Sequence, residues 1–265
     1  MDHIREKLFG SRRLAWLFLC GLTICAALLW TPGGIAPASA GRNFKSYIIT
    51  TSAGDLKITF IGHGTLMFEF GGRVIHVDPW TKQADYDALP QADLILLTHH
   101  HQDHLDPAAI GKIRTDKTVV VMSEKCAEQV QGGRVVKNGD TIEAIGLTIE
   151  VVPAYNLVHL RPDGQPWHPK GEGNGYILTF GDKRVYVAGD TENTPEMKAL
   201  TGIDVAFLPM NIPYTMTPEM VADAARAFKP KILYPYHTGD TDVSVLPGLL
   251  KDTPEVEVRL DHLAR

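Results

Sequence analysis

Cysteine is scarce in this chain, with three in 265 residues, and two of them, Cys20 and Cys25, lie in an apolar run near the N-terminus. Beyond that run only Cys126 remains, so no internal disulfide can brace the fold and the core must hold it unaided. Cys126 itself reads as a small core residue. Basic clusters are also missing. No run or stripe of Lys and Arg occurs and the formal net charge is -5, which argues against nucleic acid as the partner. There is no internal sequence repeat and no low-complexity linker after Ala40, so solenoids and tethered modules are excluded. With an ordinary hydrophobic content of 44%, the economical reading is one domain of mixed α and β structure.

The first forty residues differ in kind. Arg5, Lys7, Arg12 and Arg13 open the chain against Asp2 and Glu6. Leu14–Trp30 is then uncharged and apolar, and "TPGGIAPASA" ends in a small-residue Ala38-Ser39-Ala40 exit. That order describes a secretory signal peptide over 1–40, cut after Ala40, with a periplasmic or extracellular product. A retained N-terminal membrane anchor is the alternative, since 17 apolar residues stand at the lower limit for a span. Cleavage would leave 41–265 with 22 Lys+Arg against 29 Asp+Glu, because four basic and two acidic side chains depart.

After Ala40, short strand-like runs alternate with Gly, Pro and Asp. Strands are expected over 56–61, 65–70, 73–78, 94–98, 118–122, 147–152, 176–180, 184–188, 205–208 and 232–236. Gly71-Gly72 and "FGDKR" read as hairpin turns. The uninterrupted "LILLT" suggests a strand buried on both faces. The clearest helix runs over 217–229, with Thr217 as N-cap, Pro218 at the first position and Pro230 as its stop. Weaker helices are expected over 107–113, 123–131, 195–200 and 244–251.

Three apolar strands end alike: "LILLT" runs into His99, "RVYVAG" into Asp190 and "KILYPY" into His237. Groups just beyond the carboxyl ends of strands gather at one edge of such sheets. The stretch "THHHQDH" adds His101, Asp103 and His104 to the first of these ends. Neutral imidazoles and carboxylates are the donors that zinc and similar cations prefer. A bound dication would also remove the penalty of bringing such groups together, which explains why the chain concentrates them.

His99-His100-His101-Gln102-Asp103-His104 resembles the H-x-H-x-D-H signature of the metallo-β-lactamase superfamily. The resemblance extends over roughly 55–240: Asp78-Pro79 matches the first motif, "AGDTE" (188–192) the fourth and "YPYHTGD" (234–240) the last. It implies an α/β fold, a four-layer αββα sandwich with metals at one edge of its sheets. It also implies a dinuclear centre in which His99, His101 and a third histidine hold one metal, Asp103, His104 and His237 the other, and Asp190 bridges. His168, in a glycine-rich approach to the next strand, is the expected third histidine, and His159 is the rival. Zinc is the default occupant, with manganese or iron compatible. A bridging hydroxide would attack the substrate, with Asp103 and His104 as candidate catalytic residues.

His63 and Asp78 are expected to orient these donors by hydrogen bonds, while His100 should point away. His76 reads as a core residue, and His262 lies in the tail without an assigned role. "GHGT", "DPW", "VPAYN", "HPKGEGNGY" and "PMNIPYTMTPEM" are similar to a branch near L-ascorbate-6-phosphate lactonase and N-acyl-phosphatidylethanolamine-hydrolysing phospholipase D. That likeness implies hydrolysis of an ester-type bond, lactone or phosphodiester, in a small or lipid-derived substrate. A non-catalytic metal- or ligand-binding envelope protein that keeps the fold is the other reading.

Overall fold

Two seven-stranded mixed sheets face each other in the computed structural model, which describes residues 44–263. The expected export segment, 1–40, lies outside the described residues. Among those residues no helix is long and apolar enough to cross a membrane.

The first sheet comprises β1 (Lys45–Thr51), β2 (Gly54–Gly62), β3 (Thr65–Phe70), β4 (Arg73–Val77), β5 (Leu94–Leu96), β6 (Val119–Met122) and β7 (Arg134–Val135), in that spatial order. The second comprises β8 (Thr141–Ala144), β9 (Leu147–Ala154), β10 (Gly173–Phe180), β11 (Lys183–Val187), β12 (Val205–Pro209), β13 (Ile232–Tyr236) and β14 (Glu257–Val258). In each sheet four strands form an antiparallel meander and three more continue in parallel. Gly71 and Gly72 both take positive φ, 55° and 75°, which is what a two-residue turn between twisted strands requires.

The helices are α1 (Pro107–Ile113), α2 (Glu124–Ala127), α3 (Pro195–Lys198), α4 (Pro218–Phe228) and α5 (Leu246–Leu249). Three apolar clusters define the layers. The largest lies between the sheets and joins Leu56, Phe68 and Leu94 of the first to Tyr176, Phe207 and Tyr234 of the second. A second packs α4 and α5 on the outer face of the second sheet. A third packs α1 and α2 on the outer face of the first and contains buried Cys126. This is the four-layer αββα sandwich.

All ten expected strands form, and β1, β7, β8 and β14 are present without having been expected. "LILLT" shortens to Leu94–Leu96, buried and flanked in parallel by β4 and β6. The helix expected over 217–229 forms as α4. Thr217 Oγ1 accepts Met220 N–H at its start and Lys229 closes it in the left-handed conformation (φ 48°). Three expectations need correction. The helices expected over 123–131 and 195–200 close after one turn, and that over 244–251 splits into a short 3₁₀ turn and α5.

Candidate metal centre

The donors converge at the carboxyl ends of β5, β11 and β13. Beyond β5 the chain leaves the sheet at Thr98 and coils through His99–Leu105. It then enters α1 at Asp106, whose Oδ1 caps the amides of Ala108 and Ala109. The cap fixes where the histidine loop ends. Its start is fixed by Asp78, fully buried at the end of the neighbouring β4. Asp78 Oδ1 accepts Thr98 N–H at 2.7 Å, and Oδ2 accepts the Thr98 hydroxyl at 2.5 Å and His104 Nδ1–H at 2.7 Å.

These bonds decide which ring nitrogens stay free. His104 gives its Nδ1 proton to Asp78, so Nε2 is the nitrogen turned toward the site. The Thr98 proton is committed to Asp78, so His99 Nδ1–H donates to Thr98 Oγ1 at 3.1 Å and its Nε2 also faces inward. His168 gives Nδ1–H to Asn156 Oδ1 at 2.7 Å, and its Nε2 comes 3.3 Å from Asp190 Oδ2. Orientation of donors by a second ring of hydrogen bonds is usual around metals.

All seven expected donors meet. His99, His101 and His168 form one group whose ligand atoms lie within 4.8 Å of one another. His104, His237, Asp103 and His63 form a second, and His99, His104 and Asp190 a third that links the two. Asp190 Oδ2 is 3.5 Å from His237 Nε2 and 4.0 Å from His99 Nε2, and its Oδ1 is 3.5 Å from His104 Nε2. Asp103 Oδ2 lies 2.9 Å from His63 Nε2 and 3.4 Å from His237 Nε2. His159 is outside these groups, with Nδ1 2.8 Å from Glu192 Oε1, so His168 is the histidine that joins the cluster.

Charge in the cluster is unevenly held. Burial opposes the cationic form of His104, yet Asp190 and Asp78 overcome it and push its pKa up to about 9. Burial and the neighbouring His104 drive His99 well down. Burial, His168 and His100 bring His101 to about 4. Asp103 and Asp190 stay ionised: burial raises both, but surrounding histidines outweigh it.

A fit to metal can be tested on unsatisfied atoms. His104 Nε2, His237 Nε2 and Asp190 Oδ1 are buried and have no hydrogen-bond partner. Each is a lone-pair donor, or becomes one on losing a proton; His104 Nε2 faces Asp190 Oδ1 and His237 Nε2 faces Asp190 Oδ2, each across 3.5 Å. Orphaned buried polar atoms are costly, and cations between them would satisfy all three. The backbone is committed to the same end. Three of the five described non-glycine residues with positive φ, namely His63, Asp78 and His237, belong to this cluster. Gly64 has no room for a side chain: a Cβ would stand 2.7 Å from His104 Cε1.

Other histidines fall as expected, with one correction. His100 is absent from all three groups, and His76 is a buried strand residue with Nε2 3.0 Å from Pro90 O. His262 is a packed residue rather than a loose tail position: its ring lies 4.3 Å from Phe60 and Nε2 is 2.7 Å from Pro235 O.

Three supporting residues escaped the sequence reading. Glu192, fully buried, accepts the backbone N–H groups of Leu157 and Val158 on Oε2 (2.6 and 2.7 Å). Its Oε1 takes His159 N–H at 2.7 Å and Asn156 Nδ2–H at 3.0 Å. Asn156 in turn holds both the ring and the backbone N–H of His168. Asn211 places its side-chain amide 3.3 Å from His237 Nδ1. A carboxylate directly after Asp190-Thr191 with no nearby cation in sequence was the available signal for Glu192.

Residues 57–237 match the family model described as the beta-lactamase superfamily domain. The chain is 32% identical over 219 residues to a UPF0173 metal-dependent hydrolase of Methanopyrus kandleri, covering 78% of this chain and 93% of that protein. A solved structure from Parabacteroides distasonis, provisionally described as a metal-dependent hydrolase, is 50% identical. It superposes with a TM-score of 0.78 over 82% of this chain and 97% of that one. A metallo hydrolase from Ignicoccus hospitalis shares the fold at 24% identity and a TM-score of 0.61, covering 77% and 94% of the two chains.

Proposed function

The chain belongs to the β-lactamase superfamily, among the UPF0173 metal-dependent hydrolases, and on that premise we propose that it is a dinuclear metallohydrolase cleaving an ester-type bond. The observation that carries this reading is the set of buried, unpartnered donor atoms on His104, His237 and Asp190. His99, His101 and His168 would hold one cation, and Asp103, His104 and His237 the other, with Asp190 between. Zinc suits such imidazole and carboxylate donors, and manganese or iron would also be accepted.

Divalent cations held by these residues would supply Lewis acidity, lowering the pKa of water toward neutrality and offsetting charge that develops on the electrophile's oxygen. The chain's own work is to orient and to manage protons. Asp78 and Asn156 lock the rings of His104 and His168 so that Nε2 is the donor in each. Asp190 stays ionised among histidines from both sheets and ties them together. Asp103 is the proton handler. Its Oδ2 lies 2.9 Å from His63 Nε2, and His63 is only partly buried, so a proton received there has a path outward.

The likeness to the lactonase and phosphodiesterase branch supports a lactone or phosphodiester, small or lipid-derived, as substrate. Residues 1–40 would direct export of the enzyme, or anchor it if retained. The deciding experiment is elemental analysis of the full-length protein, paired with a screen of lactones and phosphodiesters before and after chelation. About two metals per chain are expected for a dinuclear site, with turnover lost on chelation and restored by added metal. Turnover that survives complete metal removal would sink the reading.

A further inference from the structure

Few large apolar side chains are exposed among the described residues, and five of those eight sit together. Leu157 (46% exposed), Val158 (65%) and Leu160 (50%) lie on the loop that follows β9. Ile212 (46%) and Tyr214 (41%) lie on the loop that follows β12. The two loops are one surface. Trp167 packs edge-on against Tyr214 with ring centroids 4.8 Å apart, and Asn156 Nδ2–H donates to Tyr214 O at 2.9 Å.

The same two loops reach the metal centre. The first ends in His168, directly after Trp167. The second begins at Asn211, whose side chain lies against His237. The apolar surface is therefore continuous with two donors contributed by the second sheet.

The surface is also held stiffly. Glu192 takes three consecutive backbone N–H groups at Leu157, Val158 and His159, so the backbone under the exposed side chains is pinned by a buried carboxylate. A loop that merely connected strands would carry polar side chains and solvate its amides. This one satisfies amides internally and turns Leu157, Val158 and Leu160 outward beside the donor cluster, with the Arg161 guanidinium stacked 5.3 Å from the Trp167 ring at its edge. Small-molecule sites are lined mainly by hydrophobic and aromatic side chains with a few polar groups that fix orientation, and this apolar surface lies next to such polar groups.

We propose that Leu157, Val158, Leu160, Ile212, Tyr214 and Trp167 form a platform for the apolar alkyl or aryl group of the substrate, adjoining the metal centre that cleaves its polar part. This rests on the hydrolase reading and narrows it: the substrate is amphiphilic, with the scissile group at one end of a hydrocarbon portion. Burying each methylene on such a surface strengthens binding about fourfold, from about 0.8 kcal/mol apiece.

The test uses n-alkylphosphonates from methyl to octyl, which offer a metal-binding head and a graded tail. They are titrated calorimetrically into the full-length protein, metal-loaded and chelated, and into the variant combining Leu157→Ser, Val158→Ser and Leu160→Ser. The gain in affinity per added methylene reports the platform, and the affinity of the shortest member reports the metals. The wild-type protein is expected to gain at least tenfold from methyl to octyl in both metal states. The variant, in the same chain, is expected to lose most of that gain and to keep its methylphosphonate affinity. A flat series in the wild type, or an undiminished series in the variant, overturns the platform. In the wild-type protein, a methylphosphonate affinity that does not depend on metal, with the chain-length gain present, would count against the metal centre and leave the platform standing. If the variant kept the chain-length gain but lost sedimentation with phosphatidylcholine vesicles, or changed its oligomeric mass, the surface would serve a bilayer or a second copy instead.

Discussion

The two sheets are built to one plan and do different work. Each runs four strands as a meander and three in parallel, so β4 and β11 occupy corresponding places, and each is followed within three residues by an aspartate. Asp78, after β4, turns into the protein and spends both oxygens on Thr98 and His104. Asp190, after β11, turns into the site and leaves Oδ1 unpartnered. One carboxylate orients and the other is positioned to ligate. The first half crowds four donors into six residues on one loop braced by Asp78. The second contributes His168, Asp190 and His237 from three separate loops, braced by Asn156, Glu192 and Asn211. A frame used twice need not be used twice in the same way, and the asymmetry lies wholly in the loops.

The largest effect is expected where the halves meet. Asp190→Asn keeps the size of the side chain but removes the charge that faces histidines from both sheets. Hydrolysis should fall to background and metal content should drop, with circular dichroism unchanged. Full metal content with full activity would break the idea that this residue links the halves.

Next come matched cuts in the two braces. Asp78→Ala strands a fully buried His104 and Thr98, and removing one partner of a buried pair costs about 3–5 kcal/mol, read as a large drop in Tm. Asn156→Ala leaves the core intact and should weaken metal binding by about 10–100-fold, as removal of an orienting partner usually does. Equal loss of stability in both variants would show that the braces are equivalent after all.

A smaller effect concerns pH in the chelated protein. His104, raised to about 9, contributes stability that is fully present below about 6.5 and is lost as pH rises through 9. His101, lowered to about 4, acts oppositely: the unfolded chain binds the proton first, so stability falls as pH drops from about 6.5 toward 4. Thermal melts of chelated protein should therefore peak between these limits. Metal should abolish the alkaline loss, because a cation then replaces the His104 proton.

The smallest effect sharpens the assignment within one loop. His159→Ala should leave metal stoichiometry unchanged, whereas His168→Ala should lose the cation held with His99 and His101. The reverse result would exchange their roles.

Most of the frame was legible because strands alternate cleanly with turns, and because cation donors have a recognisable residue type and spacing. β1 escaped because "KSYIITT" has an exposed face and follows the apolar leader without a turn signal. Glu192 and Asn156 were illegible for a physical reason. Their partners are backbone amides and a ring more than ten residues away, and a hydrogen bond to a distant amide leaves no pattern in side-chain spacing. His63 was read correctly as a partner of the donors, but its 2.9 Å contact with Asp103 needed coordinates.

The loop from Asn156 to His168 is clamped at both ends, by Glu192 at its start and by Asn156 at its close, while 160–166 holds itself with a short turn in which Arg161 and Gln165 pair. Such a stretch can be lengthened or rewritten at little thermodynamic expense, since closure entropy grows only slowly with length. Evolution, or an engineer, could therefore reshape the edge of the apolar surface at 160–166, which carries Leu160, without replacing any residue that would hold a metal.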